Sequence, residues 1–302
     1  MSVSRVIAVT LNLNGAKDTI ECVAALRRST YRSLDIVVVD NGSTDDSVAT
    51  LRAQCPDVTL IVTGRNLGYG AGYNVGLEHA YAAGADYFLV LNSDTIIDPH
   101  AVEALVEVAE RREKVGFVSG KVYHYSRPDT FQTVGRYSDP RYVIGSLVGL
   151  GEVDHGQYDQ ERQYDFVDDV FRLVSRPAYE ATGGYDPTYF LYYEETDWCA
   201  RVRRAGFTIW YTPHARIWHK GRTGGSDLEM APLRHYYMAR NHILFMRRNA
   251  TPEQFRRFWL RFAGDQTFLI ARLVRHGKFS RAWARLRGIG AGLVWLASQG
   301  RG

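Results

Sequence analysis

Ile36-Val37-Val38-Val39-Asp40-Asn41-Gly42-Ser43-Thr44-Asp45 decides the fold. Four β-branched apolar residues in a row read as a buried strand. A carboxylate closes it and Asn-Gly turns the chain. Ser43 or Thr44 can then cap a helix whose positive end favours Asp45. The same unit recurs outward from this point. Val6–Leu11, Val58–Val62 and Tyr87–Leu91 are further strand-like runs, and Val115–Ser119 is a fifth. Helix-like segments separate them at 18–28, 45–54, 71–83 and 99–111. Strands alternating with helices predict right-handed βαβ units on a parallel sheet. Ligands bind outside the carboxyl ends of such strands, so the loops after them become the candidate site.

The rest of the 302-residue sequence is compatible with this reading. Hydrophobic residues are 45% and charged residues 23%, which excludes a disordered chain; no Gly repeat suggests collagen. No stretch reaches the roughly 18 apolar residues that span a bilayer. Met1–Arg5 runs straight into the first strand, so no signal peptide is expected. Cys22, Cys55 and Cys199 form neither a disulfide framework nor a zinc pattern, which points to a reducing cytoplasm. Residues 121–165, rich in Tyr, Gly and Asp, predict irregular or mixed structure. A short helix is expected at 195–205. Thr251-Pro252-Glu253-Gln254 opens a helical tail with a capping box.

Charge is divided unevenly. Residues 247–302 hold twelve Lys/Arg and two Asp/Glu, whereas the first 246 residues carry an acidic surplus. A basic tail suggests a membrane surface, nucleic acid or anionic substrate as partner. Phe255, Phe258, Trp259 and Phe262 recur at helical spacing beside Arg256, Arg257 and Arg261. That is the composition of an in-plane membrane helix. The same stripe could pack on the catalytic domain or on a second subunit as a homodimer contact.

Three strand-end motifs could carry chemistry. Asp40–Asp45 offers a carboxylate to a base or ribose, or serves only as a turn and cap. The run Gly64–Gly76 has the glycines for close backbone approach to a ligand. It lies after the third strand, where a dinucleotide fingerprint does not belong. Asn92-Ser93-Asp94 can ligate Mg²⁺ or Mn²⁺ with substrate phosphates completing the shell, or cap a helix. Further on, Glu194, Glu195 and Asp197 crowd beside Tyr193 and Trp198, a setting that can raise a general base's pKa. His219, after a strand-like 208–212, is a metal ligand or a structural histidine.

Taken in order, Asp40–Asp45, Asn66-x-Gly68, Asn92-x-Asp94, Gly183-Gly184-Tyr185-Asp186, Tyr193-Glu194-Glu195-x-Asp197-Trp198-Cys199-x-Arg201 and Trp218-His219 resemble family 2 inverting glycosyltransferases. The bacterial rhamnosyltransferase-like subgroup is the most similar. The resemblance covers about residues 5–245. It implies an α/β fold of the GT-A nucleotide-diphospho-sugar transferase type, a mostly parallel central sheet flanked by helices, over 1–245. A basic helical extension occupies 246–302. It further implies that Asp40 contacts the base, that Leu11, Asn12 and Asn66 line the nucleoside pocket, and that Asn92 belongs to the nucleotide site. Asp94 ligates the divalent metal with help from His219, and Glu195 is the base. The sequence departs from the pattern in three places. Asn92 replaces the first acid of Asp-x-Asp. Glu195 stands where Asp is usual. The small Gly-Ala segment before Gly183 appears contracted into 168–172, a region that shapes the acceptor site in relatives.

The expected activity is inverting transfer from a nucleoside diphosphate sugar, dTDP-L-rhamnose or another dTDP- or UDP-sugar, to a hydroxyl of a cell-surface glycan or lipid-linked acceptor. Galactofuranosyl or other hexosyl transfer is the nearest alternative. A nucleotidyltransferase would want a Gly-rich, basic loop after the first strand, which Asn12–Gly15 is not. A non-catalytic nucleotide-sugar-binding module would not need Asp40, Asp94, Glu195 and His219 together. A cytoplasmic enzyme, peripheral on the inner membrane and binding no nucleic acid, is the expected setting.

Overall fold

The computed structural model describes residues 3–141, 143–221 and 225–299. The expected alternation is present: β1 (Val6–Asn12), α1 (Ala16–Leu26), β2 (Leu34–Asp40), α2 (Ser47–Gln54), β3 (Thr59–Val62), α3 (Tyr69–Ala82) and β4 (Tyr87–Asn92). β1 pairs in parallel with β2 on one side and β4 on the other. Val6, Ile7, Ala8 and Val9 are buried, as a central strand covered on both faces requires. The register sets Asn12 beside Asp40 and Leu11 beside Asn92, so four expected site residues share one sheet edge.

Gly72 and Gly76 of the Gly64–Gly76 run serve helix–sheet packing. A Cβ on Gly76 of α3 would lie 2.4 Å from Val9 Cγ1, and one on Gly72 would lie 2.8 Å from Leu11 Cδ1. Glycine there lets α3 lie close on the sheet, and the close approach is to protein.

After β4 the chain continues through β5 (Thr95–Ile97), α4 (Ala101–Arg111), β6 (Val115–His124) and β7 (Arg127–Thr133). A separate hairpin, β8 (Gly135–Asp139) and β9 (Val143–Val148), precedes β10 (Arg162–Gln163) and β11 (Phe171–Ser175). The stretch expected to be irregular or mixed is therefore largely strand. Register shifts interrupt β6–β7 and β8–β9, which removes the strict alternation by which strands are read. β11 runs antiparallel between β4 and β6. α5 (Arg176–Thr182) and α6 (Glu194–Arg204) follow, then β12 (Thr208–His219), which is far longer than the expected 208–212. β12 pairs with β6 and, antiparallel, with β5.

α7 (Gly225–Asn249), α8 (Pro252–Arg275) and α9 (Phe279–Ser298) complete the chain. The boundary drawn at 245/246 lies in the last turn of α7, and 300–302 lie outside the described residues. Thr251 and Gln254 form the expected capping box. The aromatic stripe of α8 is not a free face. Phe258 and Phe262 are each 4% exposed and join the core cluster that includes Phe245, Met246 and Trp198. Packing on the catalytic domain covers this stripe, because that domain offers it an apolar partner in α7. Other apolar side chains of α8 and α9, Phe268 at 71% and Trp283 at 63%, face outward.

Candidate active site

Asp40 ends β2 fully buried. Its Oδ2 accepts from Asn12 Nδ2 at 2.7 Å and Ser43 Oγ at 2.6 Å; its Oδ1 accepts from the Ser43 amide at 3.0 Å. Asn12 in turn accepts from Thr19 Oγ1 at 2.8 Å. The Asp40 carboxylate therefore fixes the loop, and Ser43, expected as a helix cap, bonds Asp40 instead, while Asp46 takes the N-cap position of α2. Asn66 is exposed, and its Oδ1 accepts from the Gly68 amide at 2.8 Å. Asn41 bridges to it at 3.3 Å and also bonds Gly68 and Leu67, tying the second strand-end loop to the third.

β4 delivers the next pair. Asn92 Oδ1 accepts from the Tyr69 hydroxyl at 2.7 Å. Two residues on, Asp94 turns toward β12, because β5 pairs with that strand with Thr95 opposite His219. His219 Nε2 lies 3.1 Å from Asp94 Oδ1 and 3.4 Å from Asn92 Nδ2. Residues 127 apart in sequence thus meet through one short antiparallel pairing.

The far side of the imidazole is held by Gln132 of β7, whose Oε1 lies 2.7 Å from His219 Nδ1. With the amide oriented this way, Nδ1 carries the proton and Nε2 presents its lone pair toward Asp94. Two electron-rich atoms converge there, an arrangement satisfied by a shared proton or a cation. One carboxylate and one imidazole fit a divalent ion whose remaining positions belong to phosphates and water. Among the described residues no group of three His, Cys, Asp or Glu side chains forms a complete protein cage. Gln132 carried no motif signal.

Glu195 lies in the first turn of α6. The chain reaches it through three non-glycine residues with positive φ: Phe190 at 62°, Tyr192 at 68° and Tyr193 at 75°. Such conformations persist only where the surroundings impose them. Asn241 of α7 does so. It is fully buried, and its Nδ2 faces the carbonyls of Tyr189, Leu191 and Tyr192 at 2.8, 2.8 and 2.9 Å.

The acids around Glu195 divide by environment. Burial, then the Glu195 charge, holds Glu194 well above the usual carboxylate range. Burial, then the charge of Asp168, raises Glu195. The two adjacent carboxyls, both pushed up, titrate as a pair. Behind them, β11 carries a buried Arg172. Arg172 pairs with Asp169 at 2.7 Å and lies against Phe117 and Trp198, at 4.4 and 4.8 Å. Asp169 itself is pushed up to about 7 by burial, against the pull of Arg172.

Glu195 opens onto a cavity of about 660 Å³ whose other walls come from the β8–β9 hairpin and from α7, α8 and α9. None of Asp40, Asn66, Asn92, Asp94 and His219 lines it. The site therefore has a strand-end side and a helix-walled side.

Comparison with known proteins identifies the family and the fold. Residues 6–182 match the family model described as glycosyl transferase family 2. An N-acetylglucosaminyl-diphospho-decaprenol L-rhamnosyltransferase of Mycobacterium tuberculosis is 29% identical over 226 residues, covering 68% of this chain and 73% of the relative. The dTDP-rhamnosyl transferase RfbF of Shigella flexneri is 26% identical over 229 residues, covering 72% of each chain. Among solved structures, the mannosyltransferase PcManGT from Pyrobaculum calidifontis, in complex with GDP-Man and Mn²⁺, aligns with a TM-score of 0.59 at 16% identity. It covers 100% of this chain and 77% of its own. That likeness extends to the fold.

Proposed function

Because the chain belongs to glycosyl transferase family 2, we propose that this glycosyltransferase moves L-rhamnose from dTDP-L-rhamnose, with inversion, to a hydroxyl of a lipid-linked or cell-surface glycan. Two rhamnosyltransferase relatives support the sugar, and the decaprenol-linked substrate named for one of them supports the acceptor class. The observation that carries the reading is convergence: Asn12, Asp40, Asn92, Asp94 and His219 occupy one sheet edge, with Glu195 on the opposing helix.

In this reading Leu11, Asn12 and Asn66, with the Asp40–Ser43 loop, line the nucleoside pocket, and Asn92 sits beside the diphosphate. Asp94 and His219 hold a Mg²⁺ or Mn²⁺ ion. When bound, that ion supplies Lewis-acid neutralisation of the departing diphosphate. The acceptor hydroxyl attacks the anomeric carbon from the face opposite the diphosphate. Glu195 takes the hydroxyl proton as the new C–O bond forms, and the electrons of the old bond leave with the nucleoside diphosphate. A positioned base contributes about 10²–10⁴-fold. Burial, then the charge of Asp168, raises the Glu195 carboxyl, which makes it a stronger base than a solvated one.

The setting we propose is the cytoplasmic face of the inner membrane. No helix among the described residues is long and apolar enough to cross a membrane. Outward Phe268, Phe279 and Trp283, beside the arginines of α8 and α9, suit an interfacial contact.

A thermal-shift panel of nucleotide sugars with and without Mn²⁺ tests the donor. Saturation at 100 times Kd adds about 2.7 kcal/mol. The reading expects dTDP-L-rhamnose to stabilise most and nucleoside diphosphate to be released. Release of pyrophosphate, or no response to any nucleotide sugar, contradicts it.

A further inference from the structure

The helix-walled cavity beside Glu195 has an electrostatic peculiarity. Four arginines line it: Arg136, Arg141, Arg261 and Arg285. Arg141 lies 3.7 Å from Asp139, and Arg261 lies 3.3 Å from Asp265. The other two differ. Among the described residues neither Arg136 nor Arg285 has a carboxylate oxygen within 4.0 Å, although the buried Asp168 feels the charge of Arg136 from farther off, and the buried Nε of Arg136 has no hydrogen-bond partner. Arg285 donates from Nε to Gln266 Oε1 at 2.6 Å, and its Nη1 lies 3.5 Å from His235 Nδ1. Burial, then Arg285 itself, pushes His235 down, so this partner is a neutral ring.

A guanidinium withdrawn from water needs a counter-charge. Tyr193, the residue before the Glu194-Glu195 pair, lines the cavity with both. Burial, then the charge of Glu195, raises that phenol, while Arg136 and Arg285 pull it back. The rest of the cavity is of another character. Met238, Met246, Phe258, Phe262 and Leu269 give it an apolar side formed by α7 and α8. Outside, the same tail exposes Leu260, Phe268 and Trp283. A cationic pair in the same cavity as the base, with an apolar wall beside it, matches a phosphorylated amphiphile.

We propose that this cavity is the acceptor subsite, that it takes an acceptor whose phosphate or diphosphate is esterified to a hydrocarbon chain, and that Arg136 and Arg285 hold the anion. The inference rests on the glycosyltransferase reading and specifies its acceptor side. The C-terminal helices then form part of the substrate site: α9 supplies Arg285, α8 supplies Phe258 and Phe262, and the hairpin supplies Arg136.

Farnesyl diphosphate is the probe, titrated calorimetrically into the full chain in EDTA, so that the metal-assisted nucleotide side is silent. Wild type binds it. Arg136→Met and Arg285→Met each weaken binding about 10- to 100-fold, the usual cost of one charge-assisted hydrogen bond. Arg285→Lys recovers part of the loss, which separates lost charge from lost fold. Nucleoside diphosphate affinity in Mn²⁺ stays within twofold in all three variants. Equal binding of farnesol overturns the anion-site half, and equal binding of inorganic pyrophosphate overturns the hydrocarbon half. Unchanged farnesyl diphosphate affinity in both Met variants, or no binding by wild type, overturns the whole. If farnesyl diphosphate behaves as expected but no nucleotide binds, the donor reading fails and the cavity assignment stands.

Discussion

Asn241→Ala tests whether α7 positions the base. The amide has two N–H groups, which it shares among the carbonyls of Tyr189, Leu191 and Tyr192. Losing them removes about 1 kcal/mol of net hydrogen bonding each, and a carbonyl left buried without a donor costs about 1–3 kcal/mol more. With one carbonyl regaining water, the expected loss is about 3 kcal/mol in urea unfolding. The catalytic effect has a separate origin. Tyr192 and Tyr193 lie at positive φ, a conformation worth about 1–3 kcal/mol of strain at each residue. Without Asn241 the segment relaxes and carries the first turn of α6, with Glu195, away from its place. A misplacement near 1 Å costs about 10²-fold in rate. Sugar transfer should therefore fall about 10²-fold in kcat, while nucleoside diphosphate affinity changes less than twofold, since the strand-end loops are untouched. A variant within about 0.5 kcal/mol of wild type, or one with unaltered kcat, would refute this argument.

Asp94→Ala should lose the stimulation of turnover by Mn²⁺ while its melting temperature stays close to wild type; full EDTA-resistant activity in wild type would contradict the metal assignment. His219→Ala should be milder, since oxygen ligands dominate the shell of such ions. Glu194→Gln bears on pH. The folded state keeps the Glu194 proton above the pH at which the unfolded chain releases it, so wild type loses stability as pH rises from about 4. The Gln variant has no such proton, and calorimetric melting should show it gaining on wild type between pH 4 and pH 8; a constant difference would mean Glu194 is ionised when folded. Replacing Phe268 and Trp283 with Ser should abolish sedimentation with anionic vesicles at low salt without altering the core. Unchanged pelleting would assign those side chains to another contact.

The parts of the fold that were legible are those whose local pattern has one physical solution. Continuous β-branched runs at 6–11 and 36–39 can only be satisfied in a covered sheet, and the structure has them there. The short, bulged strands of 127–163 were not legible, because a register shift destroys the period of two. The α8 stripe shows a different limit. Its helical spacing was plain, but the pattern is the same whether membrane or protein covers it, and spacing does not say that the preceding α7 folds back to supply the cover. Glycines 64–76 posed the same ambiguity between ligand and helix packing.

The site followed the same division. Asp40, Asn92 and Asp94 were visible as polar residues closing apolar strands. The choice of Glu195 over Glu194 came from resemblance to a family, and spacing alone left both open. Gln132, Asn241, Arg136 and Arg285 have no motif. Asn241 left no trace either, since it lies between Arg240 and His242 in the sequence. Their importance arises from tertiary placement, as supports for residues the motifs do supply.

Glu195→Gln is the most direct test of the account. The amide keeps the size of the side chain and cannot accept the acceptor's proton. With dTDP-L-rhamnose, Mn²⁺ and a lipid-linked acceptor, kcat should fall about 10²-fold or more, with donor affinity nearly unchanged and the acidic limb of the wild-type pH profile abolished. A Glu195→Gln enzyme that transfers sugar at the wild-type rate, or a Glu194→Gln enzyme crippled in its place, would contradict the assignment of the base and the mechanism built on it.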